Sequence, residues 1–98
     1  MNKQEILNLC ETVISTIDNH SASPDNGDKV LLLSRELTLN SKKLVDENWP
    51  LLAKDLEHVV MGRFAAFNVI PDYMDIANLM MELDYFLKHP NESEVPPL

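Results

Sequence analysis

Apolar residues recur at a spacing close to 3.6 along almost the whole chain, and no segment alternates with a period of two. That pattern admits helices and leaves no stretch suited to a half-buried strand. Ile6, Cys10, Val13 and Ile17 mark one face of a helix over about residues 3–18. The stretch "NHSASPDNG", residues 19–27, concentrates Pro, Gly, Asn, Asp and Ser and reads as a loop. Val30, Leu33, Leu37 and Leu44 stripe a second helix over about residues 28–46. Asn40 interrupts that stripe at a core-facing position, where a buried Asn costs stability and fixes the register of pairing. Asn48 and Pro50 signal a third helix, because proline is tolerated in a first turn. Leu52, Leu56, Val59, Val60 and Phe67 carry it to about residue 67. A fourth begins near Pro71, follows Tyr73, Ile76, Met80, Leu83 and Leu87, and stops at Pro90. The expected fold is all-α, an antiparallel four-helix bundle. It forms one domain over residues 1–90, followed by a flexible C-terminal tail over residues 91–98.

Charge narrows the function classes. Sixteen acidic residues against eight basic give a formal net charge of −8 over 98 residues. Such a surface is repelled by phosphate backbones and anionic lipid, which argues against nucleic-acid and membrane partners and for protein ones. No apolar run is long enough to span a bilayer, and "MNKQEILNLCETV" lacks the apolar core of a secretion signal. A cytoplasmic location is the expectation. The single Cys10 rules out an internal disulfide and a cysteine metal cage, and on its apolar stripe it reads as a small core residue. His20 and His89 read as solvated, and with His58 they make no metal-binding spacing. Asp72, Asp75, Glu82 and Asp84 form the wet face of the last helix. The methionines of "NLMMELDYFL" are more simply core and rim than a binding groove. No phosphate-cradling loop, nucleophile constellation or dinucleotide motif is present, and neither a cofactor nor a metal is expected.

One histidine stands apart. In "LEHVVMGRFAAFN", residues 56–68, His58 precedes Gly62 by four, and a helix-interior glycine costs roughly 1 kcal/mol relative to Ala. On one continuous helix Lys54, His58, Gly62 and Ala65 share a side, well over 120° from the stripe through Leu56, Val60 and Phe67. The expected arrangement is an exposed imidazole with small neighbours, low enough for another protein's backbone to approach.

The run "NWPLLAKDLEHVVMGRFAAFN" resembles the central helices of histidine-containing phosphotransfer (HPt) domains, and "MDIANLMMELDYFLKHPN" resembles their following helix. The resemblance covers roughly residues 37–91. It implies that His58 is the phosphorylated histidine, Gly62 the family's glycine, and Ala65 and Ala66 its small positions. Asn48 and Trp49 match the polar–aromatic turn before that helix. The chain departs from the pattern where the family's lysine becomes Met61, a small residue becomes Arg63, and the closing glycine becomes Asn68. Phosphoryl transfer relies on cations facing the equatorial oxygens, and Lys54 is the best substitute by helix geometry. "DKVLLLSRELTLNSKKL" is also similar to the helical aspartyl-phosphate phosphatases of sporulation relays. Thr38 and Arg35 stand where that family's polar residues belong, so the likeness reads as a shared helical pattern.

Two functions of different class follow. The first is an HPt-like phosphorelay protein, either working or degenerate (able to dock but poor at transfer), a phosphotransfer intermediate more than a true enzyme. His58 accepts the phosphoryl group, and Lys54, Met61, Gly62 and Ala65 meet a response-regulator receiver or histidine kinase domain. The second is a non-catalytic acidic helical binding protein, such as a bacteriocin or toxin immunity protein or a small regulator, that neutralises a basic partner.

Overall fold

A computed structural model of the chain describes residues 2–21, 29–57, 59–70 and 72–89, and every regular element among them is helical. His58, most of the 19–27 loop and the tail beyond His89 lie outside the described residues. The elements are α1 (Lys3–Ser21), α2 (Lys29–Asn48), α3 (Ala53–Leu56), α4 (Met61–Phe64) with a π-helical continuation (Ala65–Val69), and α5 (Met74–Lys88).

α1 starts where its first residues satisfy each other's backbone. Asn2 Oδ1 accepts from the Glu5 N–H at 2.8 Å, and Glu5 Oε1 accepts from the Asn2 N–H at 3.1 Å. This is a reciprocal capping box. The helix runs through Ser21, three residues into the stretch expected to be loop. Its stripe is the expected one, with Ile6, Cys10, Val13 and Ile17 all buried. Burial pushes the Cys10 thiol up to about 11, so it remains protonated and packs as an apolar group. α5 also buries the face its spacing gave, with Ile76, Met80, Leu83 and Leu87 fully enclosed. Its helix begins at Met74, three residues after Pro71.

α2 departs from expectation. Its buried residues are Leu31, Ser34, Thr38, Ser41 and Val45. Val30, Leu37 and Leu44 are half-buried, while Leu33 and Asn40 are exposed, so Asn40 is not the buried register residue that its stripe implied. Small polar residues can take the inner face because their hydroxyls bond back along the helix. Ser34 Oγ donates to the Val30 carbonyl at 2.7 Å, and Thr38 Oγ1 donates to the Ser34 carbonyl at 2.8 Å. A buried hydroxyl so paired costs little, and its small volume lets neighbouring helices approach. Three ion pairs reinforce the α1–α2 contact: Lys3 with Asp46 at 3.8 Å, Glu11 with Lys42, and Asp18 with Arg35 at 3.0 Å. Residue numbers rise along α1 as they fall along α2.

The expected third helix is broken. The Trp49–Pro50 peptide is cis, and α3 occupies only Ala53–Leu56, where the Asp55 carboxylate accepts from the Leu52 N–H at 3.1 Å. α3 ends at Leu56, Val60 is non-helical (φ −118°, ψ 12°), and a new helix starts at Met61. The restart rotates the segment so that Met61, Ala65 and Val69, four residues apart, are fully buried. From Ala65 the helix widens to i→i+5 bonding, with the Ile70 N–H donating to the Ala65 carbonyl at 3.0 Å. α1 packs on α2 and α5, α5 packs on α4 and the π segment, and α2 touches α4.

At one end, His20 of α1 bonds Asp75 of α5 at 2.9 Å and meets the Tyr73 ring edge-on at 5.3 Å. The bond from His20 holds the Asp75 carboxyl below its ordinary 3.8. A carboxyl depressed in the folded state stabilises above its unfolded pKa and loses that contribution as pH falls through the folded value. Asp75 is exposed, so solvent screens the effect. Asp75→Asn is expected to lower the neutral-pH urea midpoint slightly and, by the same small amount, to flatten its loss as pH falls below 3.8. An unchanged acid limb refutes this coupling.

Candidate functional site

The structure does not bring the sequence-predicted site residues onto one face. His58 lies outside the described residues. Lys54 is exposed on α3 and has no ion-pair partner among the described residues. Met61 and Ala65, expected on a partner-facing surface, are fully buried. The break at Val60 causes this correction, since a register counted from Lys54 on one unbroken helix does not survive a new helix start at Met61. Met61 instead reaches the inner face of α2, with its sulfur 3.8 Å from Thr38 Oγ1.

Gly62 has a packing role within the domain. A Cβ added there would stand 2.8 Å from Asp84 Cγ and 2.8 Å from Asp84 Oδ2 on α5. The glycine is therefore what lets α4 and α5 close together at this point. Asp84 Oδ2 pairs with Lys88 at 3.1 Å, and Oδ1 is buried without a hydrogen-bond partner among the described residues.

A different surface is open. Leu37, Asn40, Ser41, Lys43, Leu44 and Glu47 of α2 form a groove of about 520 Å³ with Val60 and Met61. A second, shallower depression of about 300 Å³ continues on the far side of Val60, between Arg63, Phe64, Phe67 and Asn68. Large apolar side chains line the two, with Val60 44% and Phe67 76% exposed, and Leu33, one turn before Leu37 on α2, is 47% exposed. Val60 and Phe67 were expected in the core; the rotation that buries Met61 and Ala65 turns them outward. The sequence carried a signal for this surface in the 4-3-4 spacing of Leu33, Leu37, Asn40 and Leu44, which matches a pairing seam as well as a core face.

Lys43 and Arg63 line the grooves without ion-pair partners among the described residues, whereas Lys3, Arg35, Lys42 and Lys88 are tied to carboxylates. Among the described residues no group of His, Cys, Asp and Glu could hold a metal ion, and no helix is long and apolar enough to cross a membrane. Comparison with family models, curated proteins and solved structures finds no match to this chain.

Proposed function

We propose that this protein is a non-catalytic helical binding module that meets a protein partner in the cytoplasm through the α2–α4 face. The supporting observation is the outward placement of Val60 and Phe67 on two grooves that share Val60, with Leu33 exposed on the same helix as the first. Contiguous apolar surface rimmed by polar residues marks interaction sites. The groove has the form that takes an amphipathic helix, with apolar anchors spaced along one side and Lys43 and Arg63 to meet acidic flanks. The helices form an antiparallel bundle in this reading, in keeping with the reversed order of the α1–α2 ion pairs. The net charge of −8 disfavours nucleic acid and anionic membranes as partners.

Phosphorelay through His58 is the second reading, and Lys54, exposed on α3 and without an ion-pair partner among the described residues, favours it. One experiment separates the two. The wild-type chain is incubated with phosphorylated receiver domains and magnesium, and with histidine kinase and ATP. In parallel, Val60→Glu, Phe67→Glu and His58→Gln are introduced into the source cell. The binding-module reading expects no acid-labile, alkali-stable phosphate, loss of the cellular phenotype in the two groove variants, and its retention in His58→Gln. A label on the wild type that His58→Gln removes, together with active groove variants, overturns it in favour of the relay.

A further inference from the structure

We infer that the exposed seam of α2 pairs with the same seam on a second copy of this chain, in antiparallel orientation. The inference deepens the reading of the α2–α4 face as a binding surface and rests on it.

α2 carries two stripes. The buried one runs through Leu31, Ser34, Thr38, Ser41 and Val45. The other runs through Val30, Leu33, Leu37, Asn40 and Leu44 at alternating spacings of three and four, and its centre lies about 100° round the helix from the first. A 3-4 repeat is the pattern by which one helix presents a straight seam to another. Within this chain that seam is only partly used: Leu37 and Leu44 are half-buried, Leu33 is 47% exposed, and Asn40 is exposed. The groove beside it is floored by Met61 and bounded by Val60, so a second helix laid on the seam has a wall to rest against.

The identity of that helix follows from the charges. Glu36 and Lys43 stand one residue before Leu37 and Leu44, along the outer edge of the seam. Neither has an ion-pair partner among the described residues. When two copies of the seam run antiparallel with Leu33 opposite Leu44 and Leu37 opposite Asn40, twofold symmetry sets Glu36 against the partner's Lys43 twice. The two Asn40 side chains then sit in the adjacent layers flanking the axis, where a polar residue selects one register over its neighbours. A parallel pairing offers no such match. It places Glu36 beside Ser41 and Lys43 beside Asn48 of the second copy, neither of which carries a charge. The seam is therefore complementary to itself in one orientation, on a chain whose overall charge of −8 otherwise opposes self-association.

Sedimentation equilibrium on the full chain from micromolar to submillimolar concentration tests this, with helical circular dichroism confirming that each variant folds. The wild type is expected to dimerise. Lys43→Glu and Glu36→Lys each convert two attractive contacts into repulsive ones and should weaken the dimer about tenfold. An equimolar mixture of the two variants restores both contacts and should recover wild-type affinity as a heterodimer. Orientation is read by disulfide trapping. Leu33→Cys and Leu44→Cys chains should cross-link when mixed and not when alone, with buried Cys10 taking no part. Cross-linking of each alone overturns the antiparallel register. A chain that stays monomeric throughout the range, or a dimer indifferent to both charge reversals, overturns self-pairing. If the chain is monomeric while Val60→Glu and Phe67→Glu still abolish the cellular phenotype, the face binds a different protein and only this inference fails. If the dimer forms as described while those variants stay active, the binding-module reading fails instead.

Discussion

Met61→Lys is expected to destabilise the protein by roughly 3–5 kcal/mol, the cost of an uncompensated charge in the interior. Met61 is fully buried, with its sulfur against the Thr38 hydroxyl on the inner face of α2. A domain of 98 residues has a total stability of about 5–15 kcal/mol, so much of the population should unfold under mild denaturant. The loss should depend on pH with a definite sign. Burial lowers the pKa of a lysine, so the penalty is largest at neutral pH and shrinks as pH rises towards the lysine's unfolded value near 10.4. Met61→Leu, which keeps the volume and adds no charge, should cost less than about 1.5 kcal/mol. Urea unfolding of the three proteins at neutral and alkaline pH makes the measurement. The substitution also bears on function, because lysine is the residue that phosphotransfer domains carry at this position on an exposed face. A Met61→Lys variant as stable as wild type would mean that residues 54–65 form one continuous helix with an open face, and would refute the rotation at Val60.

Gly62→Ala is expected to cost about 1–2 kcal/mol, as overpacking of a close contact outweighs the gain from replacing glycine in a helix. The added methyl meets Asp84 Cγ and Oδ2 at 2.8 Å, and Asp84 is tethered to Lys88, so the carboxyl cannot swing aside freely. Asp84→Ala removes the two atoms at 2.8 Å, leaving Cβ at 3.1 Å, and with them a buried oxygen that lacks a hydrogen-bond partner among the described residues. The double variant Gly62→Ala/Asp84→Ala should therefore be more stable than Gly62→Ala alone, with a favourable coupling in a double-mutant cycle. Additive effects would show that α4 and α5 do not meet at this point. The same contact answers why a glycine stands four residues after His58: the need for it comes from α5.

Helical class, and the inner faces of α1 and α5, follow from the sequence alone. Each of those helices offers one apolar stripe, so only one rotation removes it from water. The α2 face and the segment from Val59 to Val69 are different, because each carries two stripes that could be buried. On α2 the leucine-rich stripe competes with one of small residues, and the latter lies inward because Ser34 and Thr38 satisfy their own hydroxyls. Between Leu52 and Val69, the run through Leu56, Val60 and Phe67 competes with Met61, Ala65 and Val69. Packing against α5 and the inner face of α2 selects the second, and Val60 and Phe67 come out to the surface. Hydrophobicity sums cannot rank such alternatives, since both bury apolar area. What ranks them is how closely neighbouring helices approach, as Asp84 against Gly62 and Thr38 against Met61 do, and those distances exist only in the tertiary structure.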